Sequence, residues 1–196
     1  MYSEAEKKIV TRFLSGDNAS FEWLYTCHIH QLYSYGHSLG FGDDLLKDAI
    51  QDVFFKILCK RTLLDPDRDP RFYLFRSLKN RLIDMRRTSK STCGIDTSAS
   101  AFRLDVTILD QQIESEERQR LERRIADLLN CITSDIQREA VYLRYMYEME
   151  YDEIACLLNV TPHSARKLVS KGLQKIRSHN GLMLFYLLTT LFRAQL

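Results

Sequence analysis

Apolar residues recur at three- and four-residue intervals along almost the whole of this 196-residue chain. That spacing is the repeat of one face of an α-helix and leaves little room for other secondary structure. Strand-like alternation is hard to find, and the residues that punctuate helices are scarce, with 7 Gly and 3 Pro. The periodicity predicts helices over 3–14, 18–38, 43–61, 71–87, 116–131, 135–146, 151–158 and 162–179, so the expected fold class is all-α. With 45% hydrophobic and 28% charged residues, the chain can bury a core, and collagen-like or low-complexity character is excluded.

The helical period fails between Thr88 and about Leu109, where Thr-Ser-Lys-Ser-Thr-Cys-Gly-Ile-Asp-Thr-Ser-Ala-Ser-Ala stands between helical stretches and reads as a linker. The expected organisation is two small helical domains, 1–88 and 116–180, joined by a linker over 89–115 and followed by an apolar tail, 181–196. Charge follows the same division. The net charge is only +2, yet residues 60–90 carry +6 and residues 161–180 carry +5 in an otherwise acidic chain. Two compact basic segments, one per domain, point to two separate contacts with a polyanion, and nucleic acid is the first candidate.

The five cysteines, Cys27, Cys59, Cys93, Cys131 and Cys156, are scattered and odd in number, which speaks against a disulfide framework or zinc ribbon and for reduced thiols in a cytosol. The polar, acidic start Met1-Tyr2-Ser3-Glu4-Ala5-Glu6 lacks the regions of a signal peptide. A cytoplasmic protein is expected.

The clearest local signal runs from Tyr151 to Arg177. Asn159 tolerates a left-handed backbone, Thr161 can cap the next helix and Pro162 suits its first position, so three nearby residues favour a tight turn between two helices. This is the chemistry of a helix-turn-helix. On the second helix Ala165, Leu168, Val169, Gly172, Leu173 and Ile176 form one stripe, while His163, Lys167, Ser170 and Gln174 lie opposite, flanked by Arg166, Lys171 and Arg177. Such a basic free face fits a major groove, where a good bidentate base contact is worth about 1–3 kcal/mol. The plainer alternative is a helical hairpin with a solvated basic face.

In the other basic segment, Leu74, Phe75, Leu78, Leu82 and Met85 share a stripe, and Tyr73, Arg76, Asn80 and Arg87 lie opposite. Cations that track phosphates beside an aromatic ring that stacks on an unpaired base suit single-stranded nucleic acid. Taken alone, an amphipathic helix with a solvated charged face accounts for the segment equally well. The preceding Asp65-x-Asp67-x-Asp69 is no calcium loop, since Pro70 and Arg76 stand where a glycine and a bidentate Glu are required. Pro66 and Pro70 instead stiffen a loop that leads into the helix.

Four segments together, Asp48-Ala-Ile-Gln-Asp-Val-Phe54, Leu64-Asp-Pro-Asp-Arg68 with Phe72, Arg76 through Arg87, and Ile136-Gln-Arg-Glu139 continuing to Arg177, resemble the extracytoplasmic-function sigma factors of bacterial RNA polymerase. The sequence has no phosphate loop of the Gly-x-x-x-x-Gly-Lys type and no nucleophile elbow, so no enzyme activity, metal or cofactor is expected. The resemblance implies that Asp48, Gln51, Asp52 and Phe54 grip the clamp helices of the polymerase's largest subunit. It further implies that the loop from Asp65 to Arg71 receives a base flipped from the non-template strand of the minus-ten promoter element. Asp67, Arg68, Arg71, Phe72, Tyr73, Arg76, Lys79, Asn80, Arg86 and Arg87 would then form the minus-ten reader. His163, Arg166, Lys167, Ser170 and Lys171 would read the minus-thirty-five element as duplex. Promoter DNA, core polymerase and an anti-sigma factor are the partners implied.

The chain departs from the family pattern in three places. Glu148 and Asn159 stand where glycine is usual, and the tail Gly181 to Phe192 is unusually apolar. Its apolar stretch is well short of the roughly 20 residues that span a membrane, so a packing helix or a partner-binding segment is expected, with no integral membrane segment. His28-x-His30 with Cys27 and His37 does not make a metal site, because residues two apart on a helix do not share a face. A conventional helix-turn-helix regulator is the main rival, and it leaves residues 64–87 without a purpose.

Overall fold

The computed structural model describes residues 2–92, 102, 116–179 and 181–194. Their regular structure is helical throughout, in two compact units, Met1–Ser100 and Ala101–Leu196.

The first unit holds α1 (Glu4–Leu14), α2 (Asn18–Ser38), α3 (Asp43–Cys59), a 3₁₀ turn (Arg61–Leu63) and α4 (Pro70–Thr92). The starts of α1 and α2 have a local chemical cause. Ser3 accepts from the Glu6 amide while Glu6 Oε2 accepts from the Ser3 amide, a capping box that opens α1. Asp17 accepts from the Ala19 amide and the Ser20 hydroxyl at the head of α2. The Ser20 hydrogen bond holds the Asp17 carboxyl below its ordinary pKa. Arg61 fastens the α1–α2 corner, donating to the Phe13 carbonyl at 2.8 Å and to Asn18 Oδ1 at 2.9 Å, with its guanidinium over the Phe13 ring. The core comes from every helix: Val10 and Phe13 of α1, Leu24, Leu32 and Tyr35 of α2, Leu46, Ile50, Val53 and Ile57 of α3, Leu74, Phe75, Leu78 and Leu82 of α4. Burial of one such side chain stabilises by roughly 1.5–3 kcal/mol. A methyl group on Gly36 would lie 2.2 Å from Leu46 Cδ2, so α2 and α3 meet where only glycine fits.

The second unit holds α5 (Glu116–Asn130), α6 (Asp135–Met146), α7 (Tyr151–Leu158), α8 (Pro162–Ser178) and α9 (Leu182–Ala194). α8 packs on α6 and α7, and α9 packs on α5. The core includes Ile125, Leu129, Ile132, Val141, Leu143, Met146, Ile154, Val169, Ile176 and Phe185. Arg138, buried, donates to the carbonyls of Leu129, Ile132 and Phe102 and to Asp135. The guanidinium thereby satisfies carbonyls left over beyond the end of α5 and fixes Phe102, whose ring is buried beside Tyr142.

The end of α4 differs most from the sequence-based expectation, and the tail takes the first of its two expected forms, a packing helix. α4 runs to Thr92, because Thr88 onward, although polar, contains no helix breaker before Gly94. The rest of the expected linker lies outside the described residues, except Phe102, which belongs to the second unit. The apolar tail forms α9, with Phe185 and Thr189 buried and Met183 83% exposed. Among the described residues, no helix is long and apolar enough to cross a membrane.

Candidate nucleic-acid interface

The turn between α7 and α8 is built as its residues dictate. Asn159 closes α7 in the left-handed conformation (φ 54°, ψ 48°), Thr161 Oγ1 accepts from the Ser164 amide at 3.2 Å, and Pro162 opens α8. The inward stripe of α8 is Ala165, Val169, Gly172 and Ile176. Gly172 is required by close approach to α6, since a methyl group there would lie 2.5 Å from Val141 Cγ2. His163, Arg166, Lys167, Ser170 and Lys171 are all exposed and share the outward side of α8. One of them is held: the Arg166 guanidinium lies 5.4 Å from the centre of the Tyr151 ring. Arg144 sits 4.9 Å from the same ring and donates to the Met149 carbonyl. Tyr151 therefore carries two cations and aims one of them, a role that no periodicity on α8 reveals because Tyr151 belongs to α7.

The loop before α4 is a set of local carboxylate bonds. Asp65 accepts from the Asp67 amide at 2.9 Å, and its carbonyl accepts from the Arg68 amide at 3.1 Å. Asp69 accepts from the Arg71 amide at 2.9 Å at the start of α4 and takes the Arg71 side chain at 2.5 Å. Arg68 lies 3.6 Å from Asp65. Beyond the loop, Phe72, Tyr73, Arg76, Lys79, Asn80, Arg86 and Arg87 fall on one arc of α4 about 140° wide. Arg76, Asn80 and Arg87 are exposed, while Phe72, Tyr73, Lys79 and Arg86 are half-buried. The Arg86 head lies 5.5 Å from the centre of the buried Phe41 ring. Ile83, exposed within this arc, escaped the sequence reading because it lies off the core stripe.

On α3, Asp48, Gln51 and Asp52 are exposed. Asp52 takes both Nε and Nη2 of Arg81, at 2.7 and 2.6 Å. Phe54 does not join them. It is 3% exposed, with the Phe21 and Tyr25 rings 6.1 and 4.9 Å away, so the expectation that it presents itself to a partner is corrected. Phe54 stands four residues after Ile50 and on the same inward face. The aromatic ring that α3 does present is Phe55, 65% exposed beside the half-turned-out Leu58.

Residues 24–92 match the model of sigma-70 region 2, and residues 134–176 match that of sigma-70 region 4. A search among curated proteins found no match. Two solved structures share the fold at 20% identity. One is CnrH in complex with the cytosolic domain of CnrY, with 89% of this chain and 96% of that one covered and a TM-score of 0.57. The other is the sigma factor RpoE in complex with the anti-sigma factor NepR from Bartonella quintana, with 81% and 94% covered and a TM-score of 0.55. Region 2 and region 4 follow one another along a single chain and together take in more than half of it, and the protein therefore belongs to the sigma-70 family of transcription initiation factors.

Proposed function

We propose that the protein binds bacterial core RNA polymerase and directs initiation at promoters with two spaced elements, the upstream one read as duplex and the downstream one as opened single strand. The observation that carries this reading is the pairing of each family match with an exposed cationic helix face: Arg76 and Arg87 with Asn80 on α4, His163, Arg166, Lys167, Ser170 and Lys171 on α8. On α8, the long cationic chains reach base edges and phosphates of a major groove. On α4, the arc tracks the phosphates of a displaced strand, and the loop 65–71 receives one extruded base. Extrusion costs a few kcal/mol of stacking, which loop and phosphate contacts offset, so opening follows from binding without ATP hydrolysis. The division of labour follows as 1–88 for polymerase and minus-ten, 116–180 for minus-thirty-five.

Asp48, Gln51 and Asp52, with Phe55 added and Phe54 withdrawn, form the face offered to the clamp helices of the largest polymerase subunit. An anti-sigma factor is a further partner, in keeping with the complexes in which CnrH and RpoE were solved. The setting is the cytoplasm of a bacterium. The deciding experiment mixes the protein with core polymerase and a library of promoter fragments and maps the transcripts. Start sites sharing two upstream boxes are expected. Tight binding to duplex by the free protein, with no start sites, would establish the regulator instead.

A further inference from the structure

The base-receiving loop carries three carboxylates, and each is paired with a cation. Asp65 faces Arg68 and Asp69 holds Arg71, both within the loop and its helix. Asp67 is paired from outside: Lys7 Nζ of α1 lies 2.5 Å from Asp67 Oδ1. The carboxylates also differ in what else they do. Asp65 forms the loop's own turn and Asp69 starts α4. Asp67 has no such task, and its side chain is 71% exposed. A second tie comes from the same arm, where the Tyr2 hydroxyl donates to the Pro66 carbonyl at 3.2 Å. Burial, with Asp69, Glu6, Asp65 and Asp67 around it, pushes the Tyr2 hydroxyl up to about 12, so it stays protonated and able to donate. Both residues precede the segment matched to region 2, which begins at residue 24.

We propose that Lys7 and Tyr2 are positioning residues of the minus-ten reader, holding the carboxylate of Asp67 and the backbone of Pro66 so that Asp67 accepts from the exocyclic amino group of the extruded base. The inference rests on the reading of this loop as the base receiver. An ionised carboxylate only accepts hydrogen bonds, so its partners among the bases are cytosine, adenine and guanine, which offer an exocyclic amino group, and not thymine. With Oδ1 on Lys7, Oδ2 is left to accept from the base. The lysine also neutralises a carboxylate that would otherwise repel the phosphates on either side. Because the pair is exposed, it contributes little to folding, and its effect is on which base is accepted.

The test uses the full chain with core polymerase and promoters varied to all four bases at each minus-ten position, scored by the ratio of transcripts among the four. A ratio taken within one sample is insensitive to how much of a variant is folded. Asp67→Ala is expected to flatten, at one position, the preference for an amino-bearing base over thymine about fivefold or more. Lys7→Met should flatten the same position about threefold or more, Tyr2→Phe should act in the same direction, and Lys7→Arg should restore the preference. The double variant with Asp67→Ala should be no flatter than Asp67→Ala alone, as coupled residues require. An effect of Asp67→Ala with none from Lys7→Met overturns the role of the arm and leaves the loop reading intact. No change of preference from Asp67→Ala overturns both.

Discussion

Two residues of the second unit hold a backbone conformation that L-amino acids avoid. Glu148 has φ 56° and Asn159 φ 54°, at the two positions where the family pattern has glycine. The left-handed conformation costs most residues roughly 1–2 kcal/mol, and Asn less because its short polar side chain bonds locally. Glu148→Gly is therefore expected to stabilise the second unit by about 1 kcal/mol, and Asn159→Gly by a few tenths. Urea unfolding checks both, and a loss of stability in Glu148→Gly refutes the strain. Asn159 was legible from its side chain alone, whereas Glu148 was visible only against the family, since nothing in a glutamate announces a positive φ. Phe54 and Phe55 mark a different limit. Adjacent rings cannot both face inward, and only the position of Phe54 four residues after Ile50 decides which one does. A third residue links burial to pH. His28 is 5% exposed and packs edge-on against Trp23. Burial depresses its pKa below the ordinary 6.5, the Asp69 charge opposing. The unfolded chain then binds the proton more readily, so stability falls as pH drops below about 6.5 and continues to fall until the folded form titrates. His28→Leu should lose this component of the acid slope in the first unit, measured by denaturant unfolding from pH 7 to 5.

Elements were read well wherever their ends are chemical. Thr161 is a cap and Pro162 the first residue of α8, as their chemistry indicates, and both act over at most four residues of sequence; Ser3 and Asp17 cap α1 and α2, and Pro70, read as part of the loop, is the first residue of α4. The turn of the helix-turn-helix is the best case, with three such signals in succession. What could not be read is contact across elements. Lys7 meets Asp67 from sixty residues away, α9 finds α5, and Tyr151 of α7 supports Arg166 of α8, and no spacing rule reaches across those separations. The last of these makes a prediction about α8. A ring that holds a guanidinium reduces what is lost on ordering it at the DNA. Tyr151→Leu removes the π face while keeping an apolar side chain, so it should reduce discrimination at the minus-thirty-five base nearest Arg166 about threefold, and Tyr151→Phe should retain it. Lys167→Ala behaves differently according to its contact: a phosphate partner gives uniform weakening and a salt slope reduced by about one, a base partner gives relaxed preference at one position. Equal transcription from every promoter variant with Tyr151→Leu would show that Arg166 is positioned by other means.

For the whole molecule, the net charge is only +2, and in the proposed function the cationic segments of its two units act at separate places on a promoter. Each alone contributes a modest affinity. Joined, the second contact forms at an effective concentration set by the chain between them, which falls roughly as the −3/2 power of length. Nine residues stand between Thr92, the last of α4, and Phe102, which Arg138 fixes to the second unit. Doubling the length of chain between Thr92 and Phe102 with Gly and Ser should thus lower transcription at limiting protein about threefold. The salt dependence should stay as it was, because the number of phosphates neutralised is the same. Phe102→Ala should loosen the same tether from its other end and widen the range of element spacings that are used. Promoter libraries with graded spacers measure both effects. Unaltered output and an unaltered spacing optimum in the lengthened protein would mean that polymerase fixes each unit independently, with the connecting chain contributing nothing to how the two elements are read together.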